Sequence, residues 1–191
     1  MASATALLLL SWTYYVPPCY APERTGCEKH DEQLAVWALE AWAAASAGAL
    51  KLERVNDPRK ARLQVAWAAA AEGLYGEAER VRQPDGSIGV RLNIRPVGRR
   101  HPDPLLRDTI VYLTVLHESG HAWGLAHTDA FEDIMYSFQY GGDLAEYFAR
   151  YRRKLKQRAD IASHSGLSEA DVRHLRAALA RAESLTRSNV Q

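Results

Sequence analysis

The sequence predicts an α+β fold, for three reasons. Its first half contains several short segments in which apolar and polar residues alternate, as in strands. Its second half contains longer segments with the apolar spacing of helices. Its 191 residues, 47% hydrophobic and 25% charged, are enough to bury one core. Strands followed by helices are typical of the α+β class.

The first half is predicted to hold the sheet and one of two main helices. The stretch from Leu7 to Val16 ends in a strand over 12–16. Asp31 can cap a helix that continues to about Ser46. Gly73 to Gly76 interrupts the pattern, and turn residues separate further strands, which are predicted over 50–55, 61–67, 77–82 and 88–94.

Helices dominate the second half. The second main helix can start at Asp103 or Asp108, and it should continue through His121 and end at Gly124. An amphipathic helix with a basic outer face is predicted from Asp143 to about Ile161. A last helix is capped by Ser168, with Asp171 at the position of a capping box. We therefore predict one domain with two parts: a sheet subdomain that includes the second main helix, 1–128, and a smaller, mainly helical subdomain, 129–191.

Composition excludes some classes of function. The formal net charge is +1, so nothing points to nucleic acid, and there is no apolar run long enough to span a membrane. Ala6 to Leu10 is apolar, but it lacks a preceding basic residue and a clear cleavage site, so the compartment stays open. Cys19 and Cys27 lack metal-site spacing and indicate a small loop, closed by a disulfide if the compartment is oxidising.

One motif carries the chemistry. Residues 117–127 spell H-E-x-x-H-x-x-G-x-x-H. On a helix, His117 and His121 lie one turn apart on the same face, close enough to share a metal ion. Gly124 can end the helix with a positive φ, which lets the chain bring His127 to the same ion. Three protein ligands leave a fourth position open, as in catalytic zinc sites, and Glu118 is placed to act as the general base.

This segment, together with the following Met135, resembles the metzincin zinc peptidases, and Gly120 and the position of Met135 resemble the matrixin branch. The resemblance implies a twisted, mostly parallel sheet with one antiparallel edge strand, and a substrate cleft beside that edge. It also implies that Met135 forms a hydrophobic floor beneath the metal. The substrate pocket would be bordered by Leu113, Tyr136 and Tyr140.

The chain also departs from the matrixin pattern. The proline that usually follows the Met-Tyr pair is absent, and Ser137 takes its place. The remaining histidines are too scattered for a second zinc, so one catalytic Zn²⁺ is expected; they are His30, His101, His164 and His174. A structural Ca²⁺ fits the resemblance, but no residue pattern identifies its ligands. The resemblance favours a secreted or extracellular protein.

The predicted function is a monomeric zinc endopeptidase that hydrolyses proteins or peptides. One alternative is a zinc-binding protein without catalysis, against which the presence of Glu118 argues. Another is a protein that binds a partner through the basic face of the 143–161 helix. Residues 17–23 faintly resemble the inhibitory cysteine segment of matrixin pro-regions, in which the Cys19 thiolate would occupy the open zinc position, although the arginine and glycine of that segment are absent.

Overall fold

The computed structural model of the chain describes residues 10–71, 75–98 and 101–188, the last three of them as backbone only. Most of the apolar start, Ala6 to Leu10, lies outside the described residues, and so does the first half of the interruption predicted over 73–76. The described part is a mixed α and β structure, which confirms the predicted class.

Five strands form one sheet in the order β2-β1-β3-β5-β4. The pairs β1/β2, β1/β3 and β3/β5 are parallel, whereas β4 pairs antiparallel with β5 and forms an edge. In β5 the residues Val90, Leu92 and Ile94 are buried on one face as predicted, while Ile88 at the strand start is 46% exposed. The strands are β1 Leu10–Tyr15, β2 Leu50–Arg54, β3 Leu63–Trp67, β4 Gly76–Arg82 and β5 Ile88–Ile94.

Five α-helices accompany the sheet in the described part of the chain, and three of them, α2, α3 and α5, are long. Trp42 in α2 is fully buried, and its Nε1–H donates a hydrogen bond to the carbonyl of Leu116 in α3 at 2.9 Å. This bond fixes α2 against the helix that carries the histidine motif. The α-helices are α1 Pro22–Thr25, α2 Asp31–Ala45, α3 Pro104–Ala122, α4 Leu144–Arg152 and α5 Glu169–Ser188. Short 3-10 helices span Pro58–Lys60, Phe138–Tyr140 and Arg158–Ser163.

The prediction of a continuous helix from Asp143 to Ile161 is wrong. Helix α4 ends at Arg152, and a separate 3-10 helix begins at Arg158. The sequence reason is Asp160, whose carboxylate accepts hydrogen bonds from the backbone N–H groups of Lys156 and Gln157 and caps a new helical start. These bonds lower the pKa of Asp160. Leu155 then turns into the core between the two helices, where it is 4% exposed.

The helix starts differ from prediction at one position. Asp31 does not cap α2 from outside, because α2 begins at Asp31 itself. Its buried carboxylate instead accepts hydrogen bonds from Arg107 in α3, one of them from Nη2 at 2.7 Å. Of the two proposed starts for α3, Asp103 is the cap and accepts from the N–H groups of Leu105 and Leu106. Ser168 and Asp171 exchange the two capping-box hydrogen bonds at α5, as predicted.

Cys19 and Cys27 form a disulfide with a Cα–Cα distance of 5.7 Å. The closed loop lies beside the buried ion pair, since Arg107 also donates to the carbonyl of Gly26 at 3.0 Å. Cys19 therefore has no free thiol to occupy a metal position, which argues against the inhibitory-cysteine hypothesis. Among the described residues, no helix combines the length and apolar character needed to cross a membrane.

Removing the disulfide should lower the free energy of unfolding by about 2–3 kcal/mol, because a loop of this size loses less entropy on folding when it is already closed. The measurement is urea denaturation of Cys19→Ala/Cys27→Ala beside the parent protein. Added reductant should destabilise the parent and leave the variant unchanged. A parent protein indifferent to reductant would contradict a stabilising disulfide.

Candidate active site

The three motif histidines converge. Nε2 of His127 lies 3.2 Å from Nε2 of His117 and 3.2 Å from Nε2 of His121. When four nitrogen ligands surround zinc as a tetrahedron, each about 2.0–2.1 Å from the ion, neighbouring nitrogen atoms are about 3.3 Å apart. The observed separations therefore match the spacing of three ligands around one zinc ion.

Hydrogen bonds on the far side of two rings fix which nitrogen is available. Nδ1 of His117 lies 2.7 Å from the carbonyl of Ile134, and Nδ1 of His121 lies 3.0 Å from the carbonyl of Leu125. Because a carbonyl can only accept, each Nδ1 carries the proton and each neutral ring turns an Nε2 lone pair towards the centre. Burial lowers the pKa of His117 to about 4, and burial together with His121 lowers that of His127. The rings are suited to bind a cation at neutral pH.

The turn to His127 depends on a glycine. Gly124 has φ +87°, a left-handed conformation that side chains resist. The N–H of Gly124 bonds to the carbonyl of His121, and the N–H of Leu125 bonds to that of Gly120, both at 3.1 Å. These two bonds are the Schellman ending of a helix. Gly124 therefore ends α3 as the sequence predicted, and the chain reverses towards the other two histidines.

Met135 lies fully buried against α3. A Cβ on Gly120 would collide with the Met135 sulfur and would lie 3.3 Å from Cζ2 of Trp42, so only glycine allows this close packing. The backbone of Met135 also positions the third histidine, since its carbonyl accepts the N–H of Thr128, next to His127, at 2.9 Å. Met135 thus contacts the helix of the first two histidines and holds the residue after the third.

The segment around Met135 is itself anchored by α5. The buried carboxylate of Asp171 accepts hydrogen bonds from the N–H of Ile134 at 2.8 Å and, more weakly, from that of Met135 at 3.5 Å. Burial raises the pKa of Asp171, although hydrogen bonds from the backbone N–H groups of Ile134 and Ser168 oppose the shift. Tyr147 in α4 adds a second anchor, because its hydroxyl donates to the carbonyls of Asp133 and Ile134.

Glu118 is buried between α3 and the edge strand. A Cβ on Gly76, the first residue of β4, would lie 2.7 Å from Glu118 Cγ and 2.9 Å from its Oε1. Burial, and next the negative charge of Glu77, raise the pKa of Glu118 to about 7, while Arg95 opposes the shift. A carboxylate with a pKa near neutrality can both accept and return a proton. A cation held by the histidines would lower that pKa.

A cleft of about 520 Å³ contains the three histidines and Glu118. Residues Gly76–Ala78 of β4 line one wall, and residues 136–139 after Met135 line the other. The structure places two of the predicted pocket residues, Leu113 and Tyr136, in the lining. It places Tyr140 outside the lining, in the 3-10 helix beyond, where the side chain is 56% exposed.

His30, Asp31 and Asp108 form a second group whose ligand atoms are close enough for a metal. Arg107 binds both oxygens of Asp31, and Nε of Arg158 lies 2.6 Å from Oδ2 of Asp108. The carboxylates therefore already have cationic partners, and the group is an ion-pair cluster.

Three residues that position the site are not identified by the sequence pattern. The pattern predicts Gly76 only as part of an interruption and Asp171 only as a helix cap. It gives no role to Tyr147, which lies in the cleft lining. The capping-box spacing was a signal for a buried Asp171, but nothing in the sequence connected it with Ile134.

In comparisons with known proteins, no family model and no curated protein matches the chain.

Gly124→Ala should weaken zinc binding, whereas Gly48→Ala should not. Both glycines have nearly the same positive φ, +87° and +86°, and in both cases a Cβ meets nothing within 4 Å. Each variant should therefore lose about 1–2 kcal/mol of stability. Only Gly124 directs His127, so only that variant should lose affinity in a zinc titration, by at least about tenfold. Equal zinc affinities in the two variants would contradict the role of the turn.

In the presence of a chelator, the free energy of unfolding of the metal-free protein should decrease as the pH falls from 6.5 towards 4. The unfolded chain protonates its histidines near 6.5, while folded His117 stays neutral until about 4, so protons favour unfolding in this window. Urea denaturation across the window measures the slope. His117→Gln should reduce the slope, whereas a change at the exposed His174, His174→Gln, should leave it as in the parent. Identical slopes for all three proteins would contradict the buried neutral state of His117.

Proposed function

We propose that the chain is a zinc-dependent endopeptidase of the metzincin type, with the matrixin branch as the nearest resemblance. The observation that carries the proposal is the convergence of three Nε2 atoms at zinc-ligand spacing beside a buried glutamate. An antiparallel edge strand borders the same cleft, which is the arrangement that the sequence resemblance implied.

The residues fit a zinc ion chemically. The neutral rings of His117 and His121 turn unprotonated Nε2 atoms towards a common centre, where a cation would accept both lone pairs. Imidazole nitrogen is a preferred zinc ligand, and three such ligands leave one position for water or substrate. Zinc at such a site acts as a Lewis acid and makes water a nucleophile at neutral pH.

Glu118 would move the protons. Its carboxylate accepts a proton from the attacking water and later donates it to the nitrogen of the leaving amine. Its burial beside Gly76 limits the positions that the carboxylate can take. This fixed placement keeps Glu118 close to the substrate bond throughout the reaction, which lowers the barrier by avoiding reorientation.

The substrate would bind as an extra strand. Strand β4 forms hydrogen bonds with β5 on one side, and none of the strands in the described ranges pairs with its other edge. An extended peptide can pair with such an edge through its backbone, while alternate side chains enter neighbouring pockets. This mode of binding selects for peptides and proteins over compact small molecules.

The partner-binding alternative gains no support from the basic segment. Arg152 pairs with Asp103, Arg153 with Glu146 and Arg158 with Asp108. Arg150 lies over the rings of Phe131 and Tyr147 and donates to the carbonyl of Glu132. The basic residues from 150 to 158 are therefore used largely within the chain.

Glu118→Gln should retain one zinc per chain while lowering peptide hydrolysis by at least about 10²-fold, because the general base is lost but the ligands are not. Casein hydrolysis with elemental analysis measures both quantities. Glu53→Gln, an exposed change on the opposite edge strand, is the matched control and should behave as the parent.

His121→Ala should lose both zinc and activity. Parent protein that binds zinc but cleaves neither casein nor gelatin would leave the non-catalytic zinc-binding alternative. If the parent protein is purified in buffer that contains zinc and still holds none, the proposal is overturned altogether.

A further inference from the structure

The face of β4 that meets α3 becomes basic along the strand. Side chains alternate between the two faces of a strand, so Gly76, Arg80 and Arg82 share one face. A Cβ on Gly76 would meet Glu118 of α3, which identifies this face as the one beside the proposed base. With a rise of about 3.4 Å per residue, the two arginines lie roughly 14 and 20 Å further along β4 than Gly76. Beyond the base, the edge that a substrate would extend therefore presents two exposed arginines.

Neither arginine has an acidic partner in the described part of the chain. In the register with β5, Arg80 lies opposite Val90 and Arg82 lies opposite Ile88, so the cross-strand neighbours are apolar. Nη1 of Arg82 donates one long hydrogen bond, 3.4 Å, to the carbonyl of Gly86. Among the described residues, no carboxylate forms an ion pair with either guanidinium. Both cations are therefore available to a ligand.

The glutamates of β4 have cationic neighbours instead. Glu77 and Glu79 lie on the opposite face of the strand. Glu77 pairs with Arg95 at 3.5 Å, and Glu79 lies opposite Arg91 in the register with β5. The negative charge of β4 is thus balanced within the sheet, so the charge that remains for a ligand is positive and lies on the face of α3.

We propose that β4 selects substrates with acidic side chains about four and six residues before the bond that is cut. In an antiparallel pair, side chains directly opposite each other have Cβ atoms about 4.5–5.5 Å apart, and opposite charges there stabilise the pair. Antiparallel pairing is the more stable arrangement per residue. A peptide paired in this way runs against β4, so the residues opposite Arg80 and Arg82 precede the one beside Gly76. The inference rests on the proposed peptidase function and adds to it the class of substrate.

The first experiment starts from a peptide that the zinc-loaded full chain cleaves at one bond, identified by mass spectrometry. Glutamate or glutamine is placed at the two positions before the bond, and in a second pair of peptides at the same distances after it. At low ionic strength the parent should cleave the first glutamate peptide about three- to tenfold better in kcat/KM than its glutamine counterpart, because each pair of opposite charges contributes modestly. Added salt should reduce this ratio by screening. The second pair should give a ratio near one.

Charge changes on β4 test the residues themselves. Each variant is judged by its own ratio of glutamate to glutamine peptide, so that a general loss of activity cancels. Arg80→Gln/Arg82→Gln should bring the ratio to about one, and Arg80→Glu/Arg82→Glu should reverse the preference and favour lysine at the two positions. Arg91→Gln removes an exposed arginine from the other face of the sheet and is the matched control, which should keep the parental ratio. A parental ratio in both β4 variants would overturn the inference.

A binding experiment separates this inference from the peptidase proposal. In the Glu118→Gln background, calorimetry measures the affinities of the same peptides without hydrolysis. If the parent cleaves no peptide but the affinity favours glutamate and depends on Arg80 and Arg82, the peptidase proposal is overturned and the selectivity of β4 stands. Equal affinities for the glutamate and glutamine peptides, or a preference for glutamate only after the bond, overturn the inference whether or not the parent is a peptidase.

Discussion

The geometry of the histidine cluster depends on a short segment, residues 133–136, which is held beneath α3. This segment serves the site three times. The carbonyl of Ile134 accepts the Nδ1 proton of His117, and the carbonyl of Met135 accepts the N–H of Thr128. The Met135 side chain packs on Gly120. A buried carboxylate on α5, that of Asp171, accepts the N–H of Ile134. A buried backbone N–H that lost this acceptor would be left without a partner at a cost in free energy, so the segment has few alternative positions. The last helix thereby determines the geometry of a site to which it contributes no ligand.

This anchoring keeps groups together that would otherwise separate. The neutral imidazoles of His117 and His121 donate their Nδ1 protons to carbonyls, so each turns only an Nε2 lone pair towards the other rings. Burial of His117 lowers its pKa to about 4. Such a cluster lowers the stability of the metal-free fold. Local conflict of this kind is expected at functional sites, where the surrounding structure compensates for it. A cation would relieve this conflict, and the ring spacing suits zinc.

The features that could be predicted from sequence are those with short-range causes. Ligand spacing follows from helical periodicity, the reversal follows from Gly124, and the strand pattern follows from alternation. Asp171 and Ile134 are 37 residues apart, so their bond is a property of the tertiary fold. The prediction of one helix from 143 to 161 is wrong because the apolar periodicity continues through the break between the two helices. The break arises where the Asp160 side chain caps the start of the 3-10 helix. The sequence also does not show that apolar residues of α4 line the cleft, because their spacing is that of ordinary core residues.

Gly76 shows how the two halves of the proposed chemistry are joined. Glycine weakens a strand, and here it stands at the start of the edge that a substrate would extend. The space that a side chain would fill is occupied by Thr114 and Glu118 of α3, each within 2.7 Å of a Cβ at that position. The proposed base and the proposed binding strand are therefore in direct contact. A peptide paired with β4 would have its backbone placed relative to Glu118 by this contact, independently of any flexible loop. Under the proposed function, the glycine at position 76 would therefore fix the distance between substrate and base, at a cost in strand stability.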